Sequence, residues 1–211
     1  MKRIIAAAIA IAGFAAAVMA TDNSAPPSQT APLKIAPMKY FEQKCARCHG
    51  PQGAFMADGF GKKYDAAGLR KIVKEMAEGP GDSPLTSPQD LDAQTAYNRA
   101  IGSKKLFIAW TKIEGAALSG EFFGGKAIIA ASGKTSLPVT TEEGVWSLEL
   151  PAGIDTNSVE LNLKSEDGKT SVTLNLAKES YTGAPPKFDA RRLWLENTEK
   201  KAAAEGRRTP E

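Results

Sequence analysis

The chain has 211 residues, a formal charge of +3, 42% hydrophobic and 24% charged side chains, and only two cysteines and one histidine. This is the composition of a foldable globular protein, and so small a net charge gives no reason to expect nucleic acid as a partner. The cysteine and histidine count excludes, within one chain, a disulfide framework, a His-rich zinc site, a four-cysteine iron–sulfur cluster and a haem held by two of its own histidines.

Residues 1–20 read as a signal peptide. Lys2 and Arg3 precede an uncharged run rich in Ala and Ile, and small residues up to Ala20 lead into polar Thr21 and Asp22. The run is shorter than the roughly 20 apolar residues of a membrane span, so a retained anchor is the lesser alternative. No other segment could span a membrane. The expectation is a soluble, periplasmic or otherwise exported protein after cleavage near Ala20. Residues 21–36 are mostly Pro, Ser, Thr and Ala and read as a linker, extended or disordered.

Residues 37–102 carry a helical period. Pro37 suits a first helical turn, followed by Met38, Phe41 and Cys45 at helical spacing. Asp65 can cap a second helix whose Leu69, Ile72, Val73 and Met76 share a face, and Gly79-Pro80-Gly81 stops it. Ser87-Pro88-Gln89-Asp90 opens a third helix, with Ala93, Ala96, Tyr97, Ala100 and Ile101 as its apolar stripe.

After Ser103 the period becomes two. Trp146, Leu148 and Leu150 alternate with polar residues, as do Val159, Leu161 and Leu163, and Val172, Leu174 and Leu176. Asp167-Gly168 reads as a hairpin turn. Leu106–Thr111, Glu121–Phe123, Lys126–Ala131 and Leu137–Thr141 supply earlier strands. About seven short strands in about eighty residues, 103–182, suggest an immunoglobulin-like β-sandwich. Residues 183–211 form a charged tail in which Asp189 could cap a short helix bearing Leu193 and Trp194.

Cys45-Ala46-Arg47-Cys48-His49 is the one motif that carries chemistry. On a helix its Cys and His residues project to one side. Two thiols can then add to the two vinyl groups of a haem while the next imidazole reaches the iron, and this pentapeptide marks c-type haem attachment. An exported chain, with no second Cys/His pair for zinc and no surrounding βαβ pattern for a redox dithiol, fits that reading best. Dithiol/disulfide and structural-metal readings remain the alternatives.

Residues 37–102 also resemble a small class I c-type cytochrome domain. The KYFEQKCARCHG stretch is similar to that family's first helix, and LTSPQDLDAQTAYNRAI to its last, where Tyr97 would pack on Phe41. The resemblance implies an all-α cytochrome c domain (37–102) followed by an all-β domain. It also implies one covalent haem c, with Cys45 and Cys48 as thioethers and His49 as proximal iron ligand. The family's usual distal methionine is missing; Ser83 stands near its place. Met76 and Met56 are the candidate distal iron ligands, each with an ordinary reading as packing or loop residue.

The functional expectation is an exported monohaem electron carrier, not itself an enzyme. It would serve a periplasmic redox protein (a dehydrogenase, an oxidase or another cytochrome), with the sandwich as a docking or structural module. The rival is a haem-based small-ligand binder, sensor or peroxidase-like enzyme with an open iron position. Lys62, Lys63, Arg70, Lys71 and Lys74 could steer an acidic partner, or be plain solvated helix faces. Gly120–Gly125 reads as a turn, and the tryptophans as core or docking groups.

Overall fold

The computed structural model describes residues 30–57 and 60–182. The expected signal peptide, the start of the linker and the C-terminal helix lie outside the described residues. Pro37 opens α1 (Pro37–Lys44), where its missing N–H costs nothing. Cys45 links α1 to the one-turn α2 (Ala46–His49), which Gly50 ends at φ +73°. After α3 (Phe60–Lys63), the Asp65 carboxylate accepts from the Gly68 N–H at 2.7 Å and caps α4 (Ala66–Glu78). Ser87 caps α5 (Pro88–Ser103), accepting from the Asp90 N–H at 3.4 Å. Both caps and the Gly79 stop fall where the sequence puts them.

Eight strands follow: β1 (Phe107–Glu114), β2 (Ala117–Phe123), β3 (Gly125–Ser132), β4 (Thr135–Leu137), β5 (Thr140–Glu142), β6 (Val145–Glu149), β7 (Val159–Ser165) and β8 (Ser171–Asn175). They form two antiparallel sheets ordered β1-β2-β6-β5 and β4-β3-β7-β8. One apolar core lies between the sheets, with Ile108, Trp110, Leu118, Trp146 and Leu148 from the first and Leu161, Leu163 and Leu174 from the second. The alternation in β6 is regular, burying Trp146 and Leu148 and exposing Val145, Ser147 and Glu149. Gly120 faces Trp146 across the ladder, and the Trp146 indole N–H reaches the Ala109 carbonyl at 3.0 Å. Asp167-Gly168 does turn β7 into β8.

The expected architecture, an all-α class I cytochrome c domain followed by an immunoglobulin-like sandwich, is corrected: the described residues form an α+β structure. The helices close one cluster of their own, Leu69, Val73, Ala77, Leu85 and Leu91, and share the other with the sheets. α1 has eight residues and α2 and α3 four each, too short to persist without tertiary packing. Phe41, Ala93, Tyr97 and Ile101 share their cluster with Phe107 and Ala109 of β1, and Phe123 of β2 packs against it. β1 is therefore buried on both faces, Phe107 and Ala109 toward the helices, Ile108 and Trp110 toward the sheets. Glu121 of β2 accepts the Met38 and Lys39 N–H groups at 2.7 and 3.1 Å, capping α1 from the sheet.

The sheets also depart from the immunoglobulin pattern, in which seven strands divide four and three. Here each sheet has four. The stretch expected as one strand, Leu137–Thr141, is the end of β4 in one sheet and the start of β5 in the other. Pro138 has no N–H to donate and marks the crossing. Residues 30–36, within the expected linker, lie against the body. Leu33 is buried and donates its N–H to the Trp110 carbonyl at 3.0 Å, and the Lys34 N–H donates to Asp90 at 3.0 Å.

Candidate functional site

The three motif residues sit where α1 passes into α2. The Cys45 N–H closes the last turn of α1 on the Phe41 carbonyl at 2.8 Å, and the Cys45 carbonyl accepts from His49 at 3.0 Å. One helical path thus carries all three side chains. Cys45 and His49 are half-buried and Cys48 is exposed. Gly50 is needed after them, because at its positive φ a Cβ would also press on the Phe55 ring at 3.0 Å. Phe41 lies behind the imidazole, with ring centroids 6.5 Å apart, and meets Tyr97 edge-on at 5.8 Å. That contact is the one expected of this aromatic pair.

Two adjoining spaces open on these residues. A cavity of about 70 Å³ is walled by Phe41, Cys45, His49, Val73, Met76 and Gln94, with Met56, Phe60 and Asn98 beside them. A more open cleft of about 250 Å³ is walled by Lys44, Cys45, Cys48, His49, Met76 and Pro80. Cys45, His49 and Met76 border both. Burial pushes the Cys45 thiol above its ordinary range, and the neighbouring Cys48 adds to the effect. A raised thiol is a poor thiolate nucleophile, unlike the lowered thiols of redox-active Cys pairs.

The candidate methionines differ. The buried face of α4 is Leu69, Val73 and Ala77. Met76, placed on that face by sequence, is 46% exposed and stands at its edge, over both spaces. Met56 is half-buried and packs on the core near Ile101, and a Cβ on Gly53 would meet its sulfur at 3.0 Å. Tyr40 donates its hydroxyl to the Ser83 carbonyl at 2.5 Å and so pins the loop after α4.

No family model matches the chain, and no curated protein or solved structure matches it. The resemblance to class I c-type cytochromes therefore fails on two counts: no comparison carries it, and no separate all-α domain forms. Among the described residues no group of three or more His, Cys, Asp and Glu side chains converges on a point that could hold a metal ion. A structural-metal site made of Cys45, Cys48 and His49 together is thereby disfavoured. Addition to a porphyrin rim needs no such convergence, since thiols and imidazole then bond to different atoms. Two unpaired thiols, an imidazole and apolar walls border one slot.

Most of the basic residues expected to steer a partner are engaged. Lys71 and Lys74 pair with Glu75 and Glu78 at 3.8 and 3.7 Å, and Arg70 with Asp92. Trp110 and Trp146 are core, and Gly124 makes the turn between β2 and β3; Trp194 lies outside the described residues. Sequence reasoning missed Gln94 and Asn98, two buried amides one turn apart on α5, both bordering the cavity. Their signal was available: polar residues at i and i+4 beside the apolar stripe of Ala93, Ala96 and Tyr97.

Proposed function

We propose that the chain carries one haem, bonded covalently through Cys45 and Cys48, with His49 as an iron ligand. It passes single electrons between redox partners outside the cytoplasm. The observation that carries this reading is the common slot, in which Cys45 and His49 share both spaces with the thioether of Met76 on the facing helix. When bound, the haem supplies a ferrous–ferric couple. The protein's own groups do the rest. Cys45 and Cys48 would hold the ring, each thiol adding S–H across a vinyl double bond with no net redox change. Phe41 backs the imidazole, and Phe60, Ile72 and Val73 keep water from the interior wall. Cys48 is exposed, so the ring edge it would hold is the one through which electrons would cross.

Of the two candidate methionines, Met76 would be better placed to hold the iron, since it borders both spaces while Met56 is held in the turn that follows His49. The N-terminal sequence, with Lys2 and Arg3 before an apolar run, supports export. Among the described residues no helix is long and apolar enough to cross a membrane. The sheets serve as a structural or docking module toward the partner.

The deciding experiment is expression in a host that attaches haem to exported proteins, followed by denaturing mass analysis. Wild type should gain the mass of one haem, and the Cys45→Ala/Cys48→Ala variant should gain none. A wild-type chain that leaves such a host without covalent haem overturns the reading. Rapid binding of carbon monoxide by the reduced protein would replace the closed electron carrier with an open, ligand-binding iron.

A further inference from the structure

A third space, apart from the two at the motif, opens where the helices meet the sheets. It measures about 510 Å³, within the roughly 300–1,000 Å³ of small-molecule sites. Three parts of the chain wall it: the turn after His49 with Gln52 and Met56, the end of α5 with Ile101, Ser103 and Lys104, and the end of β2 with Phe123. Ile101 is buried and Met56 and Phe123 are half-buried, so the floor is apolar. Gln52 and Lys104 are exposed and make the mouth polar. Lys104 is the one charged residue of the lining, and it pairs with no carboxylate among the described residues. Acids on neighbouring elements are engaged. Glu42 accepts the Gln52 N–H at 2.8 Å, and Glu121 accepts those of Met38 and Lys39. Backbone strain gathers at the same cleft. Of the four non-glycine residues at positive φ among the described residues, two border it, Gln52 at +49° and Lys104 at +52°. Lys104 stands just after α5, where glycine is the usual residue. Such strain persists only where the surroundings hold it, and it clusters at ligand clamps.

We infer that this cleft binds a small organic carboxylate with an apolar body, of the size of a medium-chain fatty acid. The body lies on Met56, Ile101 and Phe123, and the carboxylate meets Lys104. A bare anion leaves the apolar floor in water, and a neutral apolar molecule leaves the cation without a partner. One unpaired cation beside one apolar floor selects a molecule that has both parts. The site does not rest on the haem reading, but it touches the motif. Met56 borders this cleft and also the cavity bordered by Cys45 and His49. The Phe55 N–H, one residue earlier, donates to the His49 carbonyl at 2.8 Å. An occupant therefore presses on the turn that follows the motif, through one thioether.

That thioether is also the reporter. The chain has five methionines, so ¹³C-methyl methionine spectra of the full chain are sparse, and Met56→Leu identifies the Met56 signal. Octanoate should move that signal saturably. Propionate, which has the charge but little body, should bind at least about tenfold more weakly, as the lost methylene contacts require. Lys104→Gln should weaken octanoate by about fivefold, the upper end for an exposed ion pair. It should leave uncharged octanol within about twofold of wild type, and Lys104→Arg should keep octanoate binding. No saturable shift of Met56 with octanoate sinks the inference, and so does an octanoate affinity that Lys104→Gln leaves unchanged. If Lys104→Gln does not fold, wild type alone decides. Added salt should weaken octanoate and not octanol, and an octanoate affinity indifferent to salt sinks the inference equally. Denaturing mass analysis reports separately on the haem, so the two readings stand or fall apart.

Discussion

Replacing Glu121 by alanine should destabilise the whole fold by about 2 kcal/mol, because this carboxylate joins the sheet to the first helix. It accepts two N–H groups, from Met38 at 2.7 Å and Lys39 at 3.1 Å. The Met38 backbone is half-buried and Lys39 is exposed, so water can recover the second bond but not readily the first. One charge-assisted bond is worth about 1.5–3 kcal/mol, and a negative charge at a helix N-terminus about 0.3–1 kcal/mol more. The relief of a buried charge offsets part of this, because burial pushes the Glu121 carboxyl above its ordinary range. For a fold of about 150 residues, about 2 kcal/mol is a fall in Tm of roughly 4–8 °C.

The shift also has a sign in pH. Between its ordinary and its raised pKa the folded state holds a proton that the unfolded chain has lost. Wild-type stability therefore falls as pH rises through that window, and Glu121→Ala lacks this slope. Urea melts followed by circular dichroism, with tryptophan fluorescence for the sheets, should show one transition in both proteins. A loss under about 0.5 kcal/mol would refute the capping role. Separate helical and sheet transitions in wild type would refute the shared core.

Two further outcomes follow from close packing and from buried phenols. Gly120→Ala drives a Cβ into the Ala109 carbonyl and to 2.7 Å from the Trp146 indole nitrogen; it should cost about 3 kcal/mol or more, read as lost soluble yield or a lowered urea midpoint, and near-wild-type stability would contradict the register of β1, β2 and β6. Burial raises the phenol of Tyr97, and that of Tyr181 to about 12. Between the ordinary phenol pKa of about 10 and the raised values, only the unfolded chain ionises, so stability falls with rising pH. Phenolate absorbance for these two should appear only with loss of ellipticity, and its completion in folded protein would be the contrary result.

Local signals in this sequence act over one or two turns, and those were legible. Asp65 and Ser87 cap where they stand because a short oxygen side chain reaches the next turn's N–H. Val159, Leu161 and Leu163 face one core because a strand alternates. What stayed hidden was the joint between helices and sheets. Leu106–Trp110 is an unbroken apolar run, the mark of a strand buried on both faces, yet nothing local says that its second face meets helices. Glu121 likewise looks like any acidic strand residue; its partners are 82 and 83 positions away. The grouping of Cys45, Cys48 and His49 on one cleft was legible because the motif is contiguous. Gln94 was not, because burial of an amide is decided by distant chain.

The double allegiance of β1 also sets an order of events during biosynthesis. A chain made amino end first presents Cys45 and Cys48 well before Phe107, Ala109, Glu121 and Phe123 have emerged. Until those arrive, Phe41 and Tyr97 lack the strand neighbours that seal their cluster, and α1 lacks its cap. The packing behind the motif thus stays incomplete for as long as the remaining strands take to appear. The sheets act as a timed closure of the helical segment, which completes its packing only once β1 and β2 have been made.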